Sequence, residues 1–159
     1  MVLEKKFKIF YLFIILLCVT SIFYAFFVEF FLGYKPCILC KYQRVPYFLG
    51  LLIGLFGFLK PSNTKMCIYV FLTFLISMTL SGYHVGIEQE LYRSIFNCSD
   101  NNLGVLEKGK LLESLKVINP DCRNVNFAVF GVSLATINFV LSFVISSVSY
   151  YLYSYAKNQ

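Results

Sequence analysis

The chain has 159 residues, 58% of them hydrophobic and only 14% charged, with 18 Phe, 12 Tyr and no Trp. A soluble domain is about 45–50% apolar and about 25% charged, so the composition excludes an ordinary water-soluble globule. A net charge of +6 would suit a nucleic-acid binder, but the basic residues are distributed as membrane topology requires.

The apolar residues fall in four blocks, each close to the about 20 residues that cross a bilayer. The expectation is an all-α membrane protein, a four-transmembrane-helix bundle forming a single domain over residues 1–159. The expected spans are 9–28, 38–59, 66–85 and 127–151, and the outer loops are 29–37 and 86–126. Lys5, Lys6 and Lys8 stand against Glu4 before the first block. A basic start and an apolar stretch also describe a cleavable signal peptide. This stretch, however, exceeds the about 7–15 residues of a signal h-region, and no small-residue cleavage site follows it. The first span is therefore read as retained.

Gly33 and Pro36 punctuate the short connection that follows. Next comes Pro36-Cys37-Ile38-Leu39-Cys40-Lys41-Tyr42-Gln43-Arg44, with two cysteines three apart at the start of the second block. If the block is helical from its start, both sulfurs project from one face of its first turn, and Arg44 follows Cys40 by four residues on the same face. A positive helix end and nearby cations favour thiolate over thiol. Gly50, Gly54 and Gly57 follow at spacings of four and three. The pattern permits close helix approach, although membrane helices are rich in glycine in any case.

Residues 60–65 form a tight polar loop. The third block ends in Tyr83-His84-Val85-Gly86-Ile87-Glu88 and carries the sole histidine of the chain. The only long polar segment, residues 88–125, holds Cys98 and Cys122. Within it, leucines 106, 111, 112 and 115 alternate with Glu107, Lys108, Lys110, Glu113 and Lys116. That pattern predicts a short amphipathic surface helix over residues 105–116. In the fourth block, Asn138 reads as interhelical glue. Cys18 and Cys67, inside or beside apolar blocks, read as small packing residues.

Orientation follows from the Lys and Arg count near the span ends. Lys5, Lys6, Lys8, Lys60, Lys65 and Lys157 share one side with a single acid, Glu4. The positive-inside rule puts this side, and both termini, in the cytoplasm. Cys37, Cys40, Cys98 and Cys122 then all face the oxidising side, where disulfides form and persist.

Four cysteines allow three pairings. A crosslink between Cys37 and Cys40 restrains very little chain entropy, so stabilisation is a weak reason for it. The C-x-x-C spacing is that of thiol–disulfide exchange. A metal reading needs four Cys or His ligands. Cys37, Cys40, Cys98, Cys122 and His84 supply enough, but the second cysteine pair is spaced too widely for a zinc module, and no metal is expected.

In this order, the four blocks, Cys37-x-x-Cys40-x-x-x-Arg44, Tyr83-His84-x-Gly86-x-Glu88, Cys98, Cys122 and Phe130-Gly131-x-Ser133-Leu134-Ala135 with Asn138 resemble the DsbB family. Its members are membrane thiol–quinone oxidoreductases of bacterial disulfide formation. The resemblance spans nearly the whole chain. It implies a disulfide-generating enzyme of the inner membrane, with multiple spans and periplasmic cysteines, that reoxidises a periplasmic, thioredoxin-fold, DsbA-like oxidase. It also implies two disulfides in series. Cys98 would take the mixed disulfide with the partner, Cys122 would pass electrons to Cys37–Cys40, and Cys40 would reduce a quinone, ubiquinone or menaquinone. Arg44 and His84 would stand near the quinone oxygens. DsbA is a strong oxidant, near about −120 mV, so its reoxidation needs an acceptor of comparable or greater pull. Two features depart from the family pattern. Gln43 stands where an acidic residue often precedes the arginine, and Phe and Tyr stand where Trp is common. The competing reading from another class is a non-catalytic, disulfide-crosslinked tetraspan interaction protein. A third is a thiol-based transporter or metal-handling membrane protein.

Overall fold

The computed structural model describes residues 2–33, 36–91, 128–129 and 131–158. Cys98, Cys122 and the amphipathic stretch 105–116 lie outside the described residues. Helix α1 is Val2–Phe30, α2 is Ile38–Tyr42, α3 is Val45–Leu59 and α4 is Lys65–Glu88. A two-stranded antiparallel ribbon, β1 Ala128–Val129 and β2 Val132–Ser133, leads into α5, Leu134–Lys157.

Among the described residues, four segments are long and apolar enough to cross a membrane: Glu4–Phe30, Ile38–Leu59, Lys65–Glu88 and Leu134–Lys157. The protein is a multi-pass, four-helix membrane protein. Its apolar outer surface follows from that setting, with side chains such as Phe23, Phe30, Leu52, Ile76 and Phe143 more than half exposed and therefore facing lipid.

The bundle is held together by small residues. Along α1, Phe7, Tyr11, Ile14 and Cys18 recur at helical spacing and are buried, facing the glycine row of α3. A Cβ on Gly57 would stand 2.6 Å from the Tyr11 ring, and one on Gly50 would stand 3.0 Å from Phe74 and 3.2 Å from the Cys18 sulfur. The glycines thus let α1, α3 and α4 approach more closely than a methyl group allows. Among the described residues the most extensive helix pairing, α4 on α5, uses serine instead. Ser77, Ser81, Ser142, Ser146 and Ser149 are all buried.

At the centre, Asn138 Oδ1 accepts hydrogen bonds from Tyr47 of α3 (2.6 Å), Ser142 of α5 (3.2 Å) and Ser77 of α4 (3.4 Å). It therefore joins three helices, and such polar links lack competing water in lipid. Lys6 lies over the Tyr155 ring at 5.8 Å, so the start of α1 and the end of α5 share one end of the bundle.

Two element boundaries differ from the sequence expectation. The second span is not one regular helix from Ile38 to Leu59, because it steps at Gln43–Arg44 between α2 and α3. Pro46 explains the step: it has no N–H to give Tyr42, and its ring crowds that carbonyl. The backbone shifts to tighter bonds there, Arg44 N to Lys41 O and Tyr47 N to Arg44 O. The last helix starts at Leu134, not 127. Gly131, at φ +81°, turns the ribbon before it, and the Ser133 side chain caps the helix by accepting from Thr136 N at 3.2 Å.

Candidate functional site

The step created by Pro46 makes α2 a separate turn, packed on the end of α4 through its own small apolar cluster. Leu39, Cys37 and Ile87 are buried together there, with Cys40 and Tyr83 against them. This packing sets the dithiol. Cys37 is the N-cap of α2, and its sulfur accepts from the Cys40 backbone N–H at 3.4 Å. The two sulfurs are 3.0 Å apart, with the Cys37 thiol donating to Cys40. Cys37 is buried and Cys40 half-buried.

His84 reaches the dithiol from α4. Its Nε2 lies 3.7 Å from the Cys37 sulfur and 3.7 Å from Glu88 Oε1. Its Nδ1 is 3.2 Å from the Gln43 side-chain nitrogen. With Gln43 donating to Nδ1, a neutral ring carries its proton on Nε2, facing Cys37 and Glu88. Gln43 is thus a buried member of the cluster rather than a bystander beside Arg44.

Arg44 turns the other way, toward α1. Its Nη1 pairs with Glu29 Oε2, its Nη2 donates to the Ala25 carbonyl at 3.4 Å, and its guanidinium lies 5.0 Å over the Phe26 ring. Planar stacking and forked hydrogen bonding of this kind suit arginine. The sequence reading passed over Glu29. Its signal was present: an acid at the end of an apolar block, at membrane depth, calls for a partner.

Cys40 and Arg44 meet again at a cleft of about 160 Å³ between α1, the α2–α3 step and α5. Ile22, Ala25, Leu134, Ile137 and Leu141 supply apolar walls, while Gln43, Tyr47 and Asn138 supply polar edges. An apolar cavity of about 150 Å³ accepts a benzene ring, so the cleft admits one substituted ring with any lipid tail left outside.

The structure therefore brings Cys37, Cys40, Arg44 and His84 together at one end of the bundle, but divides them between two sides. Cys40 and Arg44 border the cleft. His84 is not among the lining residues and contacts the dithiol from behind. The segment carrying Cys98 and Cys122 leaves α4 and enters α5 at this same end, where His84 and Leu134 lie.

Comparison with known proteins identifies the family of the chain. The family model for disulfide bond formation protein DsbB matches residues 7–152. A disulfide bond formation protein B of Xylella fastidiosa strain 9a5c is 28% identical over 127 residues, covering 75% of this chain and 73% of its own. Its counterpart in strain Temecula1 is 27% identical over the same length. An uncharacterised protein of Rickettsia prowazekii is 24% identical over 145 residues, covering 87% of this chain and 83% of its own.

Proposed function

Since the chain belongs to the DsbB family and is thus a membrane oxidoreductase of disulfide bond formation, we propose that it reoxidises a DsbA-like periplasmic thiol oxidase and delivers the electrons to a membrane quinone. The observation that carries this reading is the shared border of Cys40 and Arg44 on an apolar cleft of about 160 Å³. A relay of this kind, DsbA to DsbB to quinone, is the established means of keeping a bacterial periplasm oxidising.

The residues divide the work by position. A thiolate of the reduced partner attacks the Cys98–Cys122 disulfide at Cys98, forming a mixed disulfide and releasing Cys122 as thiolate. The second thiolate of the partner resolves that bond, leaving the partner oxidised and Cys98 reduced. Cys122 then exchanges with the Cys37–Cys40 disulfide, and Cys98 closes on Cys122, so one electron pair passes inward at each exchange. His84, with Nε2–H toward the Cys37 sulfur, stabilises negative charge there when the Cys37–Cys40 bond opens. A quinone, when bound, supplies the two-electron acceptor that returns the pair to a disulfide. The residues fit such a group: the apolar walls suit its ring, Arg44 offers N–H donors to an oxygen, and Cys40 is the cysteine of the pair that borders the cleft. Ubiquinone and menaquinone both carry such a dicarbonyl ring; the second fused ring of menaquinone would extend beyond the cleft. The family and the basic residues favour the bacterial inner membrane, with both termini cytoplasmic and the active cysteines periplasmic.

The test is quinone-dependent oxidation of a reduced thioredoxin-like partner by the purified protein and its four single cysteine variants. The expected result is turnover by the wild type, loss in each variant, and a mixed disulfide at Cys98 of the wild type trapped by a partner that lacks its second cysteine. Failure of the wild type to reduce any quinone with that donor removes the proposal.

A further inference from the structure

Three donors of the kinds that bind zinc meet at one point, although Cys37 and His84 are 47 residues apart. The sulfurs of Cys37 and Cys40 and a ring nitrogen of His84 all lie within 4.8 Å of one another. Two of the separations are 3.0 Å, sulfur to sulfur, and 3.7 Å, Cys37 sulfur to His84 Nε2. Around a tetrahedral Zn²⁺, with Zn–S about 2.3 Å and Zn–N about 2.0 Å, neighbouring donors stand about 3.5–3.8 Å apart. To match this the sulfurs would part by less than about 1 Å and the Cys40–His84 separation, at most 4.8 Å, would close by about 1.3 Å or less, within reach of side-chain rotation.

The surroundings agree with the geometry. Two thiolates cancel the charge of a divalent ion, so the complex would be neutral where Cys37 and His84 are 5% and 3% exposed. With Nε2 on an ion, Nδ1 must carry the ring proton. The Gln43 amide beside it can turn its oxygen inward to accept that proton, which a fixed donor could not do. The cluster supplies three donors, which leaves the fourth position of a tetrahedral ion without a protein ligand from this cluster. Three protein ligands with one open position mark catalytic or exchangeable zinc rather than a closed structural site. The sequence reading rejected metal because it sought four ligands at module spacing. The structure assembles three, from one cysteine pair and a residue of another helix.

We propose that the reduced Cys37–Cys40 dithiol and His84 together bind a borderline-soft divalent cation of the Zn²⁺ class, and that this ion and the Cys37–Cys40 disulfide exclude each other. The ion would then hold the protein in its reduced form, because both sulfurs needed for the bond are committed to the metal. The exclusion rests on the proposed disulfide; binding by the reduced dithiol does not.

The experiment titrates Co²⁺ into full-length protein carrying Cys98→Ser and Cys122→Ser, reduced with a non-chelating phosphine. Binding is read by the sulfur-to-cobalt charge-transfer and tetrahedral d–d bands, and thiols are counted in parallel. One Co²⁺ per chain is expected, displaced by Zn²⁺, with no band after diamide oxidation has removed two thiols. His84→Ala should weaken binding by about 100-fold and Gln43→Ala by about tenfold. The Gln43 variant keeps all three donors, so it tests the site even if His84→Ala does not fold. Cys18→Ala/Cys67→Ala should bind as the parent does.

The proposal is overturned if reduced protein shows no band, if the band survives Cys37→Ser, or if it disappears with Cys18 and Cys67. It is also overturned if the band remains after the two thiols are lost. If diamide leaves both thiols titratable, the Cys37–Cys40 disulfide fails, and with it the electron relay and the exclusion, while the reduced-state binding stands on its own bands.

Discussion

Cys18 and Cys67 sit in the body of the bundle, and Cys37 and Cys40 sit at its end. The first two are wholly buried, packed among Tyr11, Ile14, Val70 and Phe74. Cys67 is hydrogen-bonded to the Tyr11 hydroxyl, at 3.2 Å. The second two share a capped turn, with a histidine against Cys37 and the edge of a cleft at Cys40. The residue type is the same in both regions, so chemistry here is assigned by position. What separates the regions is the step at Pro46, which turns the cysteines out of the regular helix and onto α4. In the body, buried sulfur is a small apolar filler. At the end, it has a partner thiol, a proton-carrying ring and access from outside.

Substitution offers ways to break this contrast. The largest effect is expected from Cys40→Ala, which should abolish quinone-dependent oxidation of the partner, while Cys18→Ala/Cys67→Ala turns over at essentially the parent rate. A loss in the core variant, measured on protein shown to be folded, would erase the distinction. Next comes the packing side. Gly57→Ala places a methyl 2.6 Å from the Tyr11 ring and should cost about 1–3 kcal/mol of stability. That shows as a lower Tm in detergent, with unchanged turnover per folded molecule. Arg44→Met acts on the other region alone: the apparent KM for quinone should rise about tenfold, equivalent to about 1.4 kcal/mol. Exchange between the partner and Cys98–Cys122 should continue, as read by mixed-disulfide trapping, and an unchanged KM would remove Arg44 from the acceptor site. The smallest effect belongs to Glu29→Gln. Its ion pair is partly solvated, with the Arg44 and Glu29 side chains 16% and 25% exposed. Such a pair contributes about 1 kcal/mol or less, so the quinone KM should move by at most about fivefold.

Much of the architecture was legible because hydrophobic length is a direct signal in a membrane protein. The four blocks became four spanning helices, and Cys37, Cys40, Arg44 and His84 were visible as unusual residues at span ends. Contacts between elements were less legible. The pattern at Gly50, Gly54 and Gly57 fitted close approach or mere composition equally well, and only the facing Tyr11, Cys18 and Phe74 decide it. Pro46 was in plain view, yet the apolar run through it concealed the step. Gln43 looked like a missing charge. Its bond to His84 depends on a partner 41 residues away, which no local period encodes. The direction of Arg44 likewise depends on Glu29, across a turn. The ribbon before α5 was hidden because Val129 and Val132 continue an apolar block, and only Gly131 hinted at a turn.

The pairing of Arg44 with Glu29 has a consequence for what the cleft rejects. A membrane surface is crowded with phosphate-bearing headgroups, present in great excess over any dissolved redox lipid. A bare guanidinium at that depth would be occupied by them. The carboxylate of Glu29 acts as a built-in counter-ion, so the site presents little net charge to an anion. Arg44 still borders the cleft, and a guanidinium has five N–H donors, more than one carboxylate and one backbone carbonyl occupy. The internal salt bridge is in this sense a filter: it trades raw attraction for the ability to ignore the commonest molecule in its surroundings.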